Sequence, residues 1–146
     1  MLFRSDRCGD PILLTSAGAT GNTCEFTHDY TPVSCGFASS GGDKEMVYYF
    51  LVSTTSTVTF ETCGSSVHCP GVGSCIDTTI YVRNTCSSAS SQAGCNEDAC
   101  GYKITGVTIQ SRLTLTLSPG LYYFFLDAYP TASYGCGNFI ITITGL

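Results

Sequence analysis

The chain has 146 residues, room for one ordinary domain with a single sizeable core, and only 12 % of them are charged, with a formal net charge of −5. An acidic chain without a Lys/Arg cluster lacks the basic surface that a nucleic-acid partner needs, and no apolar run is long enough to span a bilayer. The ten cysteines, Cys8, Cys24, Cys35, Cys63, Cys69, Cys75, Cys86, Cys95, Cys100 and Cys136, point to an oxidising, extracellular, cell-surface or periplasmic compartment, and their even number to five disulfides. No C-x-x-C pair occurs and His28 lies far from His68, which favours staples over metal ligands. Short loops between strands suit local staples, so Cys24 is expected to pair with Cys35, and Cys95 with Cys100 or Cys86. The segment 1–7 is too short and too charged for a signal peptide, and the chain reads as a mature chain or an excised domain.

In chain order, residues 1–44 are loop-rich, with Gly, Thr, Asn and Ser around short apolar pieces such as Ile12-Leu13-Leu14, and one edge strand is expected there. From Glu45 the strands become regular: EMVYYFLVS (45–53), STVTFET (56–62) and, after the Cys/Gly-rich insertion 63–75, DTTIYVRN (77–84). The stretch 87–103 reads as a loop carrying two cysteines. Then come ITGVTI (104–109), SRLTLTLS (111–118), LYYFFLDAY (121–129) and GNFIITITG (137–145). No long run has helical periodicity. Seven or eight strands separated by turn residues predict one all-β domain over 1–146, a disulfide-rich antiparallel β-sandwich.

Alternation assigns the faces. Val58, Phe60, Ile80, Val82, Leu113, Leu115, Leu117, Phe139, Ile141 and Ile143 point inward, while Thr57, Thr59, Thr114, Thr116, Thr142 and Thr144 face solvent. Two strands break the pattern. In 45–53 and 121–129 both faces are apolar, so both strands lie at a sheet centre or under something else. With Tyr122, Phe124 and Leu126 inward, Tyr123 and Phe125 point outward beside Val47, Tyr49 and Leu51, a patch large enough to mark an interaction site if left in water. The cover is the segment 1–44, the insertion 63–75 or another copy of the chain. The first is favoured, because 44 residues of loop need something to pack on; the sharper expectation is an incomplete cover finished by a neighbouring chain, with Tyr49, Tyr123 and Phe125 as interface residues.

The order GGDKEMVYYF (41–50), DTTIYVRNTC (77–86), CNEDAC (95–100), SRLTLTLSPGLYYFFLDAY (111–129) and GCGNFIITI (135–143) resembles the bacterial pre-peptidase C-terminal domains, especially the Cys-rich versions in large secreted proteins. The resemblance spans roughly residues 21–144. It implies a jelly-roll-like sandwich working as an accessory or binding module rather than a catalyst, in a family whose relatives include calcium, collagen and polysaccharide binders. The three-cysteine insertion 63–75 is longer than the family pattern.

Catalytic signals are weak. No G-x-S-x-G elbow occurs, and neither His28 nor His68 has a context that predicts a nucleophile partner. Glu25, Asp29, Glu45, Glu61, Asp77, Glu97, Asp98 and Asp127 offer many carboxylate pairs and no means of choosing one. Three non-enzymatic readings follow. Calcium takes several oxygen ligands, and Asp77, Glu97 and Asp98 could supply them if strands 77–84 and 104–109 are neighbours. A glycan could stack on Tyr102, Tyr129 or Tyr134 near turns. Low charge, dense disulfides and hydroxyl-covered sheets suit a self-associating subunit of an extracellular filament or matrix, its exposed hydroxyls being candidate O-glycan carriers; Asn22-Thr23-Cys24 and Asn84-Thr85-Cys86 are not ordinary N-glycan acceptors.

Overall fold

The alternating strands pack as two sheets, face to face, in a computed structural model that describes residues 6–35, 44–68, 76–100, 103–104, 107–108, 110–128 and 135–146, with the backbone alone for 66–68, 103–104 and 107–108. Among these residues the strands are β1 (Ile12–Leu13), β2 (Ala19–Asn22), β3 (Met46–Val52), β4 (Ser56–Glu61), β5 (Thr78–Arg83), β6 (Gln92–Asn96), β7 (Lys103–Ile104), β8 (Val107–Thr108), β9 (Arg112–Leu117), β10 (Gly120–Ala128) and β11 (Asn138–Thr144). One sheet has the order β1-β3-β10-β5-β6, the other β2-β11-β4-β9, and β7 pairs with β8. Every pairing is antiparallel except that of β1 with β3. The nine strands of the two sheets give the expected β-sandwich, with strands beyond the seven or eight read from the sequence.

The extra strands have physical reasons. The loop-rich N-terminal segment supplies two edge strands instead of one, β1 on the first sheet and β2 on the second. Gln92–Asn96, read as loop, is strand β6, an edge strand against β5. Its sequence QAGCN has no apolar alternation because an edge needs little side-chain burial, and Gly94 lets Leu115 of the facing sheet come close: a Cβ there would sit 2.7 Å from the leucine Cδ2. Within the expected strand 104–109, the described residues fall in two short strands, Lys103–Ile104 paired antiparallel with Val107–Thr108.

Inward residues behave as alternation requires. Phe50, Phe60, Ile80, Val82, Phe124, Leu126, Phe139 and Ile141 join one buried core, with Leu115 partly buried against it. Phe60 stacks on Phe124 at 5.0 Å and leans on Phe50 at 5.1 Å. On the far side of the second sheet the threonines pair across strands, Thr57 with Thr116 at 3.1 Å and Thr59 with Thr114 at 2.9 Å. Where the sheets meet near one end, the buried hydroxyls of Thr62, Thr78 and Ser111 satisfy one another, Thr62 to Thr78 at 2.6 Å and Thr78 to Ser111 at 3.0 Å.

Four disulfides tie distant segments: Cys8–Cys86, Cys24–Cys136, Cys35–Cys95 and Cys63–Cys100. The local pairs expected from the sequence are therefore corrected: Cys24 does not reach Cys35, and Cys95 pairs with neither Cys100 nor Cys86. Sequence separations of 78, 112, 60 and 37 residues mean that the bonds close long loops, where chain-entropy stabilisation is largest. Cys69 and Cys75 lie outside the described residues. No helix among the described residues is long and apolar enough to cross a membrane.

Candidate functional site

The outer face of the five-stranded sheet is where two-sided apolar strands had to find a cover. β10 is its central strand, between β3 and β5, with Phe125 opposite Val47 on one side and Tyr81 on the other. The N-terminal segment folds over this half. Cys8–Cys86 and Cys35–Cys95 pin it to the loop after β5 and to β6, the Cys8 amide donates to the Tyr30 hydroxyl at 3.0 Å, and Tyr30 sets its ring edge-on to Phe125 at 5.4 Å. Phe125 stacks on Tyr81 at 4.6 Å and is 0 % exposed. The buried Arg83 guanidinium lies 4.9 Å from the Phe125 ring centroid and donates to the carbonyls of Cys86 and Thr31. Phe125, expected to point outward, is covered by the chain's own N-terminal segment.

Three titratable groups meet under the same cover. Glu45, just before β3, is 0 % exposed, and Asp127, near the end of β10, is buried. Glu45 precedes Met46 and Asp127 follows Leu126, which pair in register, so the two carboxyl groups come close on one face, where ionising both is unfavourable. His28 arrives from the covering loop. One nitrogen of His28 and one carboxylate oxygen each of Glu45 and Asp127 lie within 4.8 Å of one another. Glu45 Oε1 accepts the amides of Asp29 and Tyr30 at 2.6 and 2.9 Å, which fixes the loop. Glu45 Oε2, His28 Nδ1 and the Tyr81 hydroxyl are buried without a hydrogen-bond partner. Burial, then the Asp127 charge, pushes the Glu45 carboxyl up to about 9, against the pull of the two amides.

The other half of the same face is open. Leu51 lies opposite Leu121, and Tyr49 opposite Tyr123 and Leu13. Leu51 is 64 % exposed, Leu13 52 % and Leu121 43 %, while Tyr49 and Tyr123 are half-buried. Among the described residues, this half of the face is a strip of three exposed leucines with the half-buried Tyr49 and Tyr123 between them.

Asp77, Glu97 and Asp98 do come into electrostatic range: burial, then Asp98, then Glu97 raises the Asp77 carboxyl to about 7. The route differs from the expected one, since the neighbours of β5 are β10 and β6, and it is Asn96 of β6 that pairs with Ile80. Among the described residues, the trio with donor atoms within 4.8 Å of one another is His28, Glu45 and Asp127, not this one. Tyr102, Tyr129 and Tyr134 lie outside the described residues. The sequence offered Glu45 and Asp127 only as two carboxylates among eight. The signal that singles them out is positional: each is the lone charge on an otherwise apolar outer row, 45-47-49-51 in one strand and 121-123-125-127 in the other.

No family model matches the chain, and no curated protein sequence matches it. Among solved structures, the pre-peptidase C-terminal domain of a collagenase from Bacillus anthracis aligns over 91 % of this chain and 91 % of that one, with a TM-score of 0.50 and 16 % sequence identity. The chain has a pre-peptidase C-terminal-like fold. The five quoted segments thus identified the architecture. At such identity the likeness is one of fold, and the pre-peptidase C-terminal-like sandwich here must be read through its own residues.

Proposed function

We propose that the chain is a non-catalytic, extracellular contact module that joins other protein surfaces, in the first instance copies of itself, through the open strip Leu13, Tyr49, Leu51, Leu121 and Tyr123. The observation that carries the reading is that strip: one sheet face sealed by disulfide-pinned chain over half its length and left apolar over the other half. Exposed apolar surface of this kind is tolerated where a partner covers it. Four disulfides suit an oxidising extracellular compartment. Two facts support the absence of catalysis. The described cysteines are all bonded, and Glu45 and Asp127, close as they are, lie buried where no sugar or peptide could reach them. The test is sedimentation velocity over a wide concentration range for the parent and for Leu51→Glu/Leu121→Glu. Concentration-dependent association of the parent, lost in the variant, is expected. A parent that stays monomeric, or a variant that associates equally, refutes assembly through the strip.

A second reading rests on the collagenase domain of similar fold: an accessory module of a secreted enzyme, with a collagen- or glycan-type ligand on the same strip and calcium held by Asp77, Glu97 and Asp98. The raised Asp77 carboxyl supports it, because crowded acidic groups are relieved by a cation. Calcium should then raise the melting temperature of the parent but not of Asp77→Asn/Asp98→Asn; an equal response in both removes calcium from these residues.

A further inference from the structure

We propose that His28, Glu45 and Asp127 form a buried site for one divalent transition ion of the zinc class, which clamps the N-terminal segment onto the five-stranded sheet. The donors come from three places in the chain, the covering loop, the residue before β3 and the end of β10, and their ligating atoms already lie within 4.8 Å of one another. A zinc ion about 2 Å from each donor needs them about 3.3 Å apart, a difference that small side-chain rotations supply. The second, independent sign of a missing partner is the hydrogen-bond inventory. Glu45 is 0 % exposed, yet Oε2 has no partner, and His28 Nδ1 is buried and unpartnered as well. Native structures rarely leave such atoms orphaned, and two carboxyl groups this close cannot both ionise without a cation between them.

The donor set chooses the ion. Calcium and magnesium take oxygen ligands, whereas an imidazole beside two carboxylates suits zinc and its first-row neighbours. His28 is partly exposed, which leaves a narrow entry path, and a water could complete a four-coordinate ion there. A site with so little access is structural. It ties the loop that Glu45 Oε1 already holds by two amide bonds, and so acts beside Cys8–Cys86 and Cys35–Cys95 as a further clamp on the cover.

The test uses the oxidised full chain, stripped with chelator, then titrated with zinc chloride and read by metal content after dialysis and by melting temperature. Cobalt chloride is the spectroscopic probe. The expected result is about one zinc per chain, an upward shift in melting temperature, and visible absorption of four- or five-coordinate cobalt. His28→Ala, at a partly exposed loop position that should still fold, is expected to bind zinc at least ten-fold more weakly and to lose the cobalt bands, and Asp127→Asn likewise. Retention of no zinc by the parent overturns the proposal. So does equal binding by His28→Ala, or a melting shift given by calcium and not by zinc.

Discussion

Phe125→Ala is the sharpest perturbation of the sealed half-face, and Leu121→Ala, on the same face of the same strand, is its control. Phe125 is 0 % exposed, stacked on Tyr81 at 4.6 Å, edge-on to Tyr30 at 5.4 Å and beneath Arg83. Truncating a fully buried phenylalanine costs about 3 to 5 kcal/mol, and the loss of two aromatic contacts and a desolvated cation–π contact places this site toward the upper end. Leu121, 43 % exposed, has only part of the roughly 1.5 to 3 kcal/mol of a full burial to lose, so about 1 kcal/mol or less. With a guanidinium m-value of about 4 kcal/mol/M, the Phe125 variant should unfold about 1 M earlier than the parent and the Leu121 variant within about 0.3 M of it. The assay is guanidinium unfolding of the oxidised proteins by near-ultraviolet circular dichroism. Equal midpoints for the two variants would show that the N-terminal segment does not seal the outer face.

Replacing Cys8 and Cys86 together by serine opens a loop with a sequence separation of 78 and should cost about 4.5 kcal/mol on the chain-entropy account; hydrogen exchange should rise first at the Asp29 and Tyr30 amides, and protection equal to the parent's there would refute the pinning role. Gly18 has φ +74° and a Cβ on it would meet the Ile141 carbonyl oxygen at 2.1 Å. Gly18→Ala should therefore lose at least about 2 kcal/mol, a fall in melting temperature of several degrees. Gly9→Ala, where a Cβ meets nothing within 4 Å, should be near neutral, and a melting curve unchanged in both would remove the close approach. In chelator-containing buffer, Asp77, raised from 3.8 to about 7 by burial, Asp98 and Glu97, keeps its proton in the fold while the unfolded chain releases it. Its contribution to stability then falls as pH rises from about 4 to about 7 and stays low above. Asp77→Asn should flatten that slope in chemical unfolding and be the more stable form at pH 8; an unchanged slope would assign the pH dependence elsewhere.

The sandwich was legible because its signal is local. The rows Val58-Phe60, Leu113-Leu117 and Phe139-Ile143 with threonines between them read as strands at a glance, and the two-sided row of 121–129 put that strand at the sheet centre or under a cover. β6 was not legible, because an edge strand with Gly94 and Asn96 carries no hydrophobic period. The disulfides were not legible either: pairing such as Cys24 with Cys136 depends on which strands lie side by side, which the spacing of cysteines does not encode. The trio His28, Glu45 and Asp127 fails for the same reason at longer range. Only the fold-back of the N-terminal segment brings His28 to the end of β10, and that fold-back is dictated by Tyr30, Arg83 and two disulfides, none of them near His28 in a way that a motif records.

The two features proposed for this face are physically separable, which makes each informative about the other. Leu121 and Asp127 lie on one strand six residues apart, about 20 Å at the usual rise. Substitutions at that distance with no shared partner add within a few tenths of a kcal/mol. Leu51→Glu/Leu121→Glu should therefore leave zinc stoichiometry and the cobalt spectrum unchanged, and His28→Ala should leave association through the strip unchanged. The rigid element between them is the wall Tyr30, Arg83, Phe125 and Tyr81, whose rings sit 4.6 to 5.4 Å apart. If zinc did alter association, the ion would have to move that wall, and Phe125→Ala would then uncouple the two; if association and zinc binding still moved together in that variant, the division of the face into a sealed and an open half would be wrong.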